Sequence, residues 1–255
     1  MSVARRRLFL HELRAQQRLF WRSREAAFFT FLLPIVFLVL LGSVYGDATI
    51  DDIKAATYLL AGMIGYGVTA TAFVGLAISL VIRRESGVLK RVRGTPMPPA
   101  VYLCAVIASI LVVITIEVCA QVLIGRFLLD ADWPTSALSL VGVVGLGAAS
   151  FAALGLAISG LVRSAEGASA VINAIYLPMT FISGVFFSSD SLPGFLEAIS
   201  DVLPLTFLLR LVQATFLEGE GLGAHPGSIV ALSVWGIAGI AIALRIFRWE
   251  PREAL

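Results

Sequence analysis

The sequence comprises 255 residues, of which 58% are hydrophobic and 14% are charged. Soluble globular domains carry about 25% charged residues, so this composition excludes an ordinary soluble protein and indicates a chain that crosses a membrane several times. The formal net charge of +2 does not indicate a nucleic-acid partner, and we expect the basic residues to meet anionic lipid and partner proteins instead.

The chain begins with a basic segment that is predicted to lie on the membrane rather than across it. Residues 1–25 combine arginines with Leu8, Leu13, Phe20 and Trp21. This composition is typical of an interfacial helix whose guanidinium groups reach the lipid headgroups. We therefore assign residues 1–25 to an N-terminal interfacial helix.

Six apolar stretches follow, each long enough to cross roughly 30 Å of hydrocarbon as an α-helix. They make residues 26–255 one six-span transmembrane domain, and the predicted fold class is an all-α polytopic membrane protein. Two further apolar pieces, 192–202 and 205–217, are too short to cross and predict short re-entrant helices on the outer side. The predicted spans cover about residues 26–44, 57–82, 101–124, 137–162, 168–187 and 227–247.

The positions of the positive charges predict the orientation of these spans. Sixteen of the nineteen lysines and arginines lie on one side of the spans, and only Lys54, Arg126 and Arg210 lie on the other. By the positive-inside rule the basic side faces the cytoplasm, so both termini are predicted to be cytoplasmic. The basic-side residues are Arg5, Arg6, Arg7, Arg14, Arg18, Arg22, Arg24, Arg83, Arg84, Lys90, Arg91, Arg93, Arg163, Arg245, Arg248 and Arg252.

The sequence predicts no reaction chemistry within this chain. It contains no G-x-x-x-x-G-K-[ST] pattern, so any ATP must be bound by another subunit. The two histidines, His11 and His225, fall on opposite sides of the membrane, which leaves no Cys/His spacing suited to a metal site. An intramembrane serine protease is disfavoured because Ser183 has no histidine within the spans to activate it. We expect no catalytic residue, metal or cofactor in this chain.

Glu117 is the one acidic residue deep within a predicted span, and Gln121 follows it by four residues on the same helix face. A charge at this depth costs at least ~2.5 kcal/mol, so the side chain must face protein or water and can be protonated. Two interpretations stay open. Glu117 is either a polar contact or proton site in a transport path, or it forms a buried hydrogen bond with Gln121 or a neighbouring helix.

The sequence Gly-Leu-Ala-Ile-Ser occurs twice, at 75–79 and at 155–159, and each copy lies near the basic end of a span. Small residues four apart allow helix backbones to approach closely in lipid. The repeat therefore favours tight helix packing over direct contact with a substrate.

The basic loop between the second and third spans predicts a short amphipathic helix. Val88, Leu89 and Val92 would share one side of this helix, with Lys90, Arg91 and Arg93 around the rest. Such a helix can dock in the groove of a partner protein. Ordinary positive-inside charge is the alternative interpretation.

Three patches in this order resemble the membrane subunits of ABC type 2 (ABC-2) exporters, and most closely the drug and antibiotic branch that includes daunorubicin-type permeases. Together with the six spans they cover essentially the whole chain. Ser188 is one departure, since many relatives carry proline after the paired aromatic residues. The patches are Arg84-Glu85-Ser86-Gly87 through Arg93-Gly94-Thr95-Pro96, Pro178 through Phe187, and Leu192-Pro193 with Leu203-Pro204-Leu205-Thr206 and Leu209-Arg210.

The resemblance implies a permease that dimerises, with itself or with a similar chain, and recruits two ABC ATPase subunits that bind ATP and Mg. The N-terminal helix and the basic loop would contact those ATPases. The coupling residues would be Glu85, Val88, Leu89, Lys90, Arg91 and Arg93.

The resemblance also implies a substrate path between the second and fifth spans of the two protomers, capped by the short outer helices. The expected activity is export of a lipophilic drug-like or lipid molecule from the cytoplasm across a bacterial cell membrane. Export of a lipid-linked glycan is the alternative, and a proton-coupled carrier that uses Glu117 is a less favoured one. The alternative for the path residues is packing against lipid or against the second protomer. The path residues would be Phe73, Leu76, Asn173, Tyr176, Pro178, Thr180 and Phe181, and the outer gate would include Pro193, Pro204 and Arg210.

Overall fold

The computed structural model describes residues 3–45, 48–50, 53–187, 193–216, 223, 225–247 and 249–250. Arg248, Arg252 and Ser188, which entered the sequence interpretation, lie outside these residues. Within the described ranges the chain is helical almost throughout. Its α-helices are α1 (Val3–Arg22), α2 (Arg24–Tyr45), α3 (Ala55–Thr69), α4 (Leu76–Glu85), α5 (Val88–Arg93), α6 (Pro99–Leu129), α7 (Ala137–Leu161), α8 (Ala165–Ile182), α9 (Gly194–Ser200), α10 (Pro204–Ala214) and α11 (Pro226–Ile246).

Two features interrupt this helical pattern. A π-helical segment, Ala70–Gly75, joins α3 to α4, so that the two form one continuous rod, Ala55–Glu85. Two short antiparallel strands, β1 (Thr49–Ile50) and β2 (Ile53–Lys54), precede that rod and pair in the register Thr49 with Lys54.

Six helices of the described chain are long and apolar enough to cross a membrane, which confirms the all-α polytopic prediction. We number them span 1 (α2), span 2 (the rod Ala55–Glu85), span 3 (α6), span 4 (α7), span 5 (α8) and span 6 (α11). Since successive spans alternate in direction, Arg83, Arg84 and Arg163 lie at one end of the bundle, here called the basic end. The other end is called the opposite end.

Span 5 occupies a different range from the predicted one. It was expected at 168–187, whereas the helix covers Ala165–Ile182. The reason is Gly184, which adopts a φ of 86°. Glycine reaches this left-handed region without the steric cost that other residues incur, and it commonly ends a helix. The chain therefore leaves the helix at Ser183 and turns back over the bundle.

The short helix α10 lies inside the bundle rather than on its surface. Leu205, Leu208 and Val212 are completely buried, and α10 packs against spans 2, 4 and 6. Its smaller neighbour α9 carries Phe195, which is mostly exposed. Of the two outer helices predicted from the sequence, the second is thus an integral part of the core.

Span 2 is the central helix of the bundle, because spans 1, 3, 4 and 5 and helix α10 all pack against it. Small residues permit this close packing. A Cβ atom added at Gly155 of span 4 would lie 2.9 Å from the carbonyl oxygen of Phe73 in span 2. In lipid, where apolar burial gives little drive for association, such close backbone contact is a main source of helix affinity.

The shortest of these distances to a backbone atom of another segment gives a testable prediction. A Cβ atom at Gly62 of span 2 would lie 2.1 Å from the backbone oxygen of Val185 in the turn after span 5. We expect Gly62→Ala to lower the free energy of unfolding by about 1–3 kcal/mol, because backbone atoms must move apart. Thermal unfolding of the detergent-purified chain measures this effect. Gly145→Ala is the control, since no atom lies within 4 Å of a Cβ atom at Gly145. Equal stability of the two variants would contradict the prediction.

Candidate functional site

A cavity of about 510 Å³ lies in the half of the bundle nearer the basic end. Helix α1 and spans 1, 2, 3 and 5 all contribute residues to its lining. The lining is largely apolar and aromatic, with Leu19, Phe20 and Phe29 on the side of α1 and span 1. Its size is that of a site for a drug-sized molecule.

The π-helical segment of span 2 lies directly on this cavity, where Ala70, Thr71, Val74 and Gly75 contribute to the wall. A π-helical turn widens the helix and rotates the side chains that follow, and such turns are frequent at functional sites. It brings the Thr71 hydroxyl to a position from which it donates to the Glu117 carboxylate of span 3, with Oγ1 and Oε2 3.3 Å apart.

Glu117 is buried and lines the inner part of the cavity. Besides the hydroxyl of Thr71, the amide of Gln121 donates to it, with Nε2 and Oε1 3.3 Å apart. Glycine at position 67 makes room for the carboxylate, because a Cβ atom there would lie 2.0 Å from Oε1 of Glu117. Glu117 therefore forms the buried hydrogen bonds that one interpretation of the sequence expected. Its position on the cavity also fits the other interpretation, a polar contact or proton site in a transport path.

Three of the predicted path residues, Leu76, Asn173 and Tyr176, line the cavity. The Asn173 side chain donates to the hydroxyl of Ser169, 3.2 Å away. The ring of Tyr176 lies 5.7 Å from that of Tyr66 in span 2, and the two rings are tilted by 47°.

The other four predicted path residues lie elsewhere. Phe73 packs edge-on against Phe151 of span 4, with ring centroids 6.5 Å apart. Thr180 is buried and donates to the backbone oxygen of Tyr176. Pro178 and Phe181 are exposed on the surface of span 5.

Sequence reasoning missed Tyr66 and Thr71, as well as the contribution of α1 and span 1 to the wall. Tyr66 stands between Gly65 and Gly67 in the middle of a span. A polar aromatic residue flanked by glycines at this depth is the signal that could have identified it.

The predicted coupling segment, α5, has two distinct faces. Leu89 is completely buried and Val88 is half-buried, so the apolar face packs on the chain's own core. Lys90, Arg91 and Arg93 are exposed. Any partner would therefore meet the basic face rather than the apolar one.

Two residues just before α5, Arg84 and Glu85, form hydrogen bonds with the turn between spans 4 and 5. Arg84 is buried, and its guanidinium donates to the backbone oxygens of Ser159 and Val162 at 2.8 and 2.5 Å. The Glu85 carboxylate accepts a hydrogen bond from the backbone N–H of Ala165 at the start of span 5. These bonds satisfy backbone groups that helix ends leave unpaired. They make the basic end of span 2, helix α5 and the span 4–5 turn one connected unit.

The proposed gate residues lie at the opposite end. Pro193 is exposed before α9, and Pro204 is buried at the first position of α10. Arg210 forms an ion pair with Asp201, 2.5 Å between Nη2 and Oδ1. Both partners are partly exposed, so this pair is worth at most about 1 kcal/mol.

A second polar cluster at that end joins the start of span 2 to the loop after span 3. Lys54 and Thr57 both donate to Asp132, at 2.9 Å each. Partial burial alone would raise the pKa of Asp132, but these donors outweigh it, and the pKa lies below its ordinary value of 3.8. The same hydrogen bond raises the pKa of Lys54. The pair is therefore ionised at neutral pH.

Most of the chain matches a known protein family. Residues 7–217 match the family described as ABC-2 type transporter. The chain belongs to the ABC-2 type transporter family. The permease is therefore a multi-pass membrane protein and a transport component.

Individual relatives agree with this assignment. The permease is 25% identical to the putative transport permease YvfS of Bacillus subtilis (strain 168) over 195 residues, which are 74% of this chain and 78% of YvfS. It is 31% identical to the probable multidrug ABC transporter permease YbhS of Escherichia coli (strain K12) over 99 residues, which are 38% of this chain and 26% of YbhS. It is 25% identical to the inner membrane transport permease YhhJ of the same organism, over 71% of this chain and 49% of YhhJ.

Proposed function

We propose that this permease is the membrane subunit of an ATP-driven exporter that moves a lipophilic drug-like or lipid molecule out of the bacterial cytoplasm. A separate ABC ATPase, in two copies, binds ATP and Mg and supplies the energy. A second permease, of this or a similar sequence, completes the complex. The basic end faces the cytoplasm, in accordance with the positive-inside rule.

One observation carries this proposal: span 2 lines the cavity and also leads directly into α5, whose basic face is exposed. Span 2 presents Thr71 and Leu76 to the cavity and ends at Glu85, just before α5. A force applied to α5 is thus transmitted directly to the cavity wall. Through Arg84 and Glu85 it also reaches the end of span 4 and the start of span 5, and span 5 contributes Asn173 and Tyr176 to the cavity lining.

The cavity lining favours a lipophilic substrate over a glycan. Leu19, Phe29, Leu33 and Val113 offer apolar contacts, whereas sugars require many hydrogen-bonding groups. Differential binding of the substrate to inward-open and outward-open states would convert ATPase closure into directed movement.

Co-purification tests the proposal. The permease is expressed with the proteins encoded beside it, and the complex is reconstituted in lipid nanodiscs. We expect stoichiometric recovery of an ATPase whose hydrolysis rate rises with lipophilic compounds. A permease that purifies alone and transports without ATP would contradict the proposal.

A cavity-filling variant tests the location of the path. Gly75 lines the cavity, and a Cβ atom there would approach no atom closer than 3.5 Å. We expect Gly75→Trp to fold normally and fill the cavity, lowering compound-stimulated ATP hydrolysis at least about tenfold, which is roughly 1.4 kcal/mol of binding. Basal hydrolysis should persist. Gly145→Trp, which places the same side chain in open space on span 4, is the control, and equal stimulation in the two variants would place the path elsewhere.

A further inference from the structure

We infer that the cavity binds a lipophilic organic cation, with Glu117 as its counter-charge. This inference rests on the proposed function and specifies the substrate class for the same cavity.

Glu117 forms no ion pair with any of the described residues. Arg83 is the cavity's basic side chain, but it follows Thr71 by twelve residues on the same rod, roughly 18 Å away at 1.5 Å per residue. Its guanidinium donates instead to the hydroxyl of Tyr102, 2.9 Å away. Burying a carboxylate is costly unless it is paired with a cation as well as hydrogen-bonded.

The oxygen atoms beside the Glu117 carboxylate are only partly satisfied by hydrogen-bond donors. The Gln121 amide uses its nitrogen to donate to Glu117, and its Oε1 atom is buried without a partner. Together with the two carboxylate oxygens, this leaves more acceptors than donors at the inner end of the cavity. A bound cation is attracted to these oxygen atoms through its charge, whereas an anion is repelled by them.

Two aromatic side chains line the same cavity as Glu117. Tyr66 and Tyr176 lie on the cavity with ring centroids 5.7 Å apart. Aromatic faces attract cations through their quadrupole, and the attraction grows where water is excluded. A carboxylate with two aromatic rings in one apolar cavity is a combination suited to a lipophilic cation rather than to a neutral lipid.

The test uses two ions of equal shape and opposite charge. Binding of tritiated tetraphenylphosphonium is measured by equilibrium dialysis on the full permease in nanodiscs of neutral lipid, with empty nanodiscs subtracted, and tetraphenylborate is measured alongside. We expect the cation to bind at least tenfold more tightly than the anion. Glu117→Gln should lose at least tenfold in cation affinity. Glu166→Gln, which removes an exposed carboxylate in the first turn of α8, should bind like the unmodified chain.

A second measurement uses the unmodified chain, so that its result does not depend on whether a variant folds. Carbodiimide modification of Glu117, followed by mass spectrometry, should be slowed at least fivefold by tetraphenylphosphonium and not by tetraphenylborate. Equal binding of the two ions, unchanged cation affinity in Glu117→Gln or unprotected modification would each overturn the inference. The cation inference can fail while the proposed function stands. In that case one of these three results is obtained, but an ATPase still co-purifies with the permease and its hydrolysis rate still rises with neutral lipophilic compounds.

Discussion

Replacing Arg84 by methionine is expected to lower the free energy of unfolding by about 2–4 kcal/mol, because it leaves two buried carbonyl oxygens without donors. These are the backbone oxygens of Ser159 and Val162, at the end of span 4. Methionine retains much of the length of the side chain, so the loss reports the hydrogen bonds rather than a large cavity. Thermal and urea unfolding of the purified permease measure the change.

Two further variants sharpen this test. Arg163→Met removes the same charge from an exposed position in the neighbouring turn, and we expect a change within about 0.5 kcal/mol. Arg84→Lys keeps the charge but cannot donate from two nitrogens in a fixed fork, so an intermediate loss is expected. If Arg84→Met is as stable as Arg163→Met, Arg84 does not hold the span 4–5 turn.

Removing the basic face of α5 is the second change with a large expected effect. The combined substitution Lys90→Ala, Arg91→Ala and Arg93→Ala should weaken ATPase binding at least about tenfold, or roughly 1.4 kcal/mol. The three side chains are exposed, so the permease should unfold at its usual temperature. Affinity is measured by surface-immobilised permease nanodiscs against the purified ATPase. The difference from the unmodified chain should shrink at high salt, as expected for exposed charges.

A charge-preserving set serves as its control. Lys90→Arg, Arg91→Lys and Arg93→Lys together should retain most of the affinity, since electrostatic attraction at an exposed surface depends mainly on the charge. Equal ATPase affinity for the alanine set and the unmodified chain would exclude the basic face of α5 as the contact.

The structure also separates Glu85 from Arg91, which the sequence had grouped as one coupling surface. Both side chains are exposed, but Glu85 also accepts a hydrogen bond from the backbone of Ala165 within the same chain. Changing Glu85 therefore alters the internal link, and changing Arg91 alters the surface offered to a partner. No local pattern predicts this division, because Ala165 lies eighty residues away along the sequence.

The six spans were predictable because long apolar runs without charges have few alternatives to membrane-spanning helices. The end of span 5 was not, since it depends on the left-handed conformation of Gly184. Likewise the position of α10 inside the bundle could not be read from its length alone.

The candidate site was only partly predictable for a physical reason. In spans made almost entirely of apolar residues, every helix face has a similar composition, so the pattern does not show which face meets a cavity. Phe73 and Leu76 are three residues apart and would share a face of a regular α-helix. Across the π-helical segment they separate, and Phe73 packs against span 4 while Leu76 lines the cavity. Glu117 and Gln121 were identifiable because polar side chains stand out in such a span.

Transport into inside-out membrane vesicles tests most directly whether the permease is driven by ATP hydrolysis in a partner ATPase. Vesicles that contain the permease and its ATPase are given fluorescent lipophilic compounds, with either ATP or an imposed proton gradient. We predict accumulation that requires both ATP and the ATPase and that Gly75→Trp abolishes. Accumulation driven by the proton gradient alone, without the ATPase and lost in Glu117→Gln, would show a secondary carrier instead.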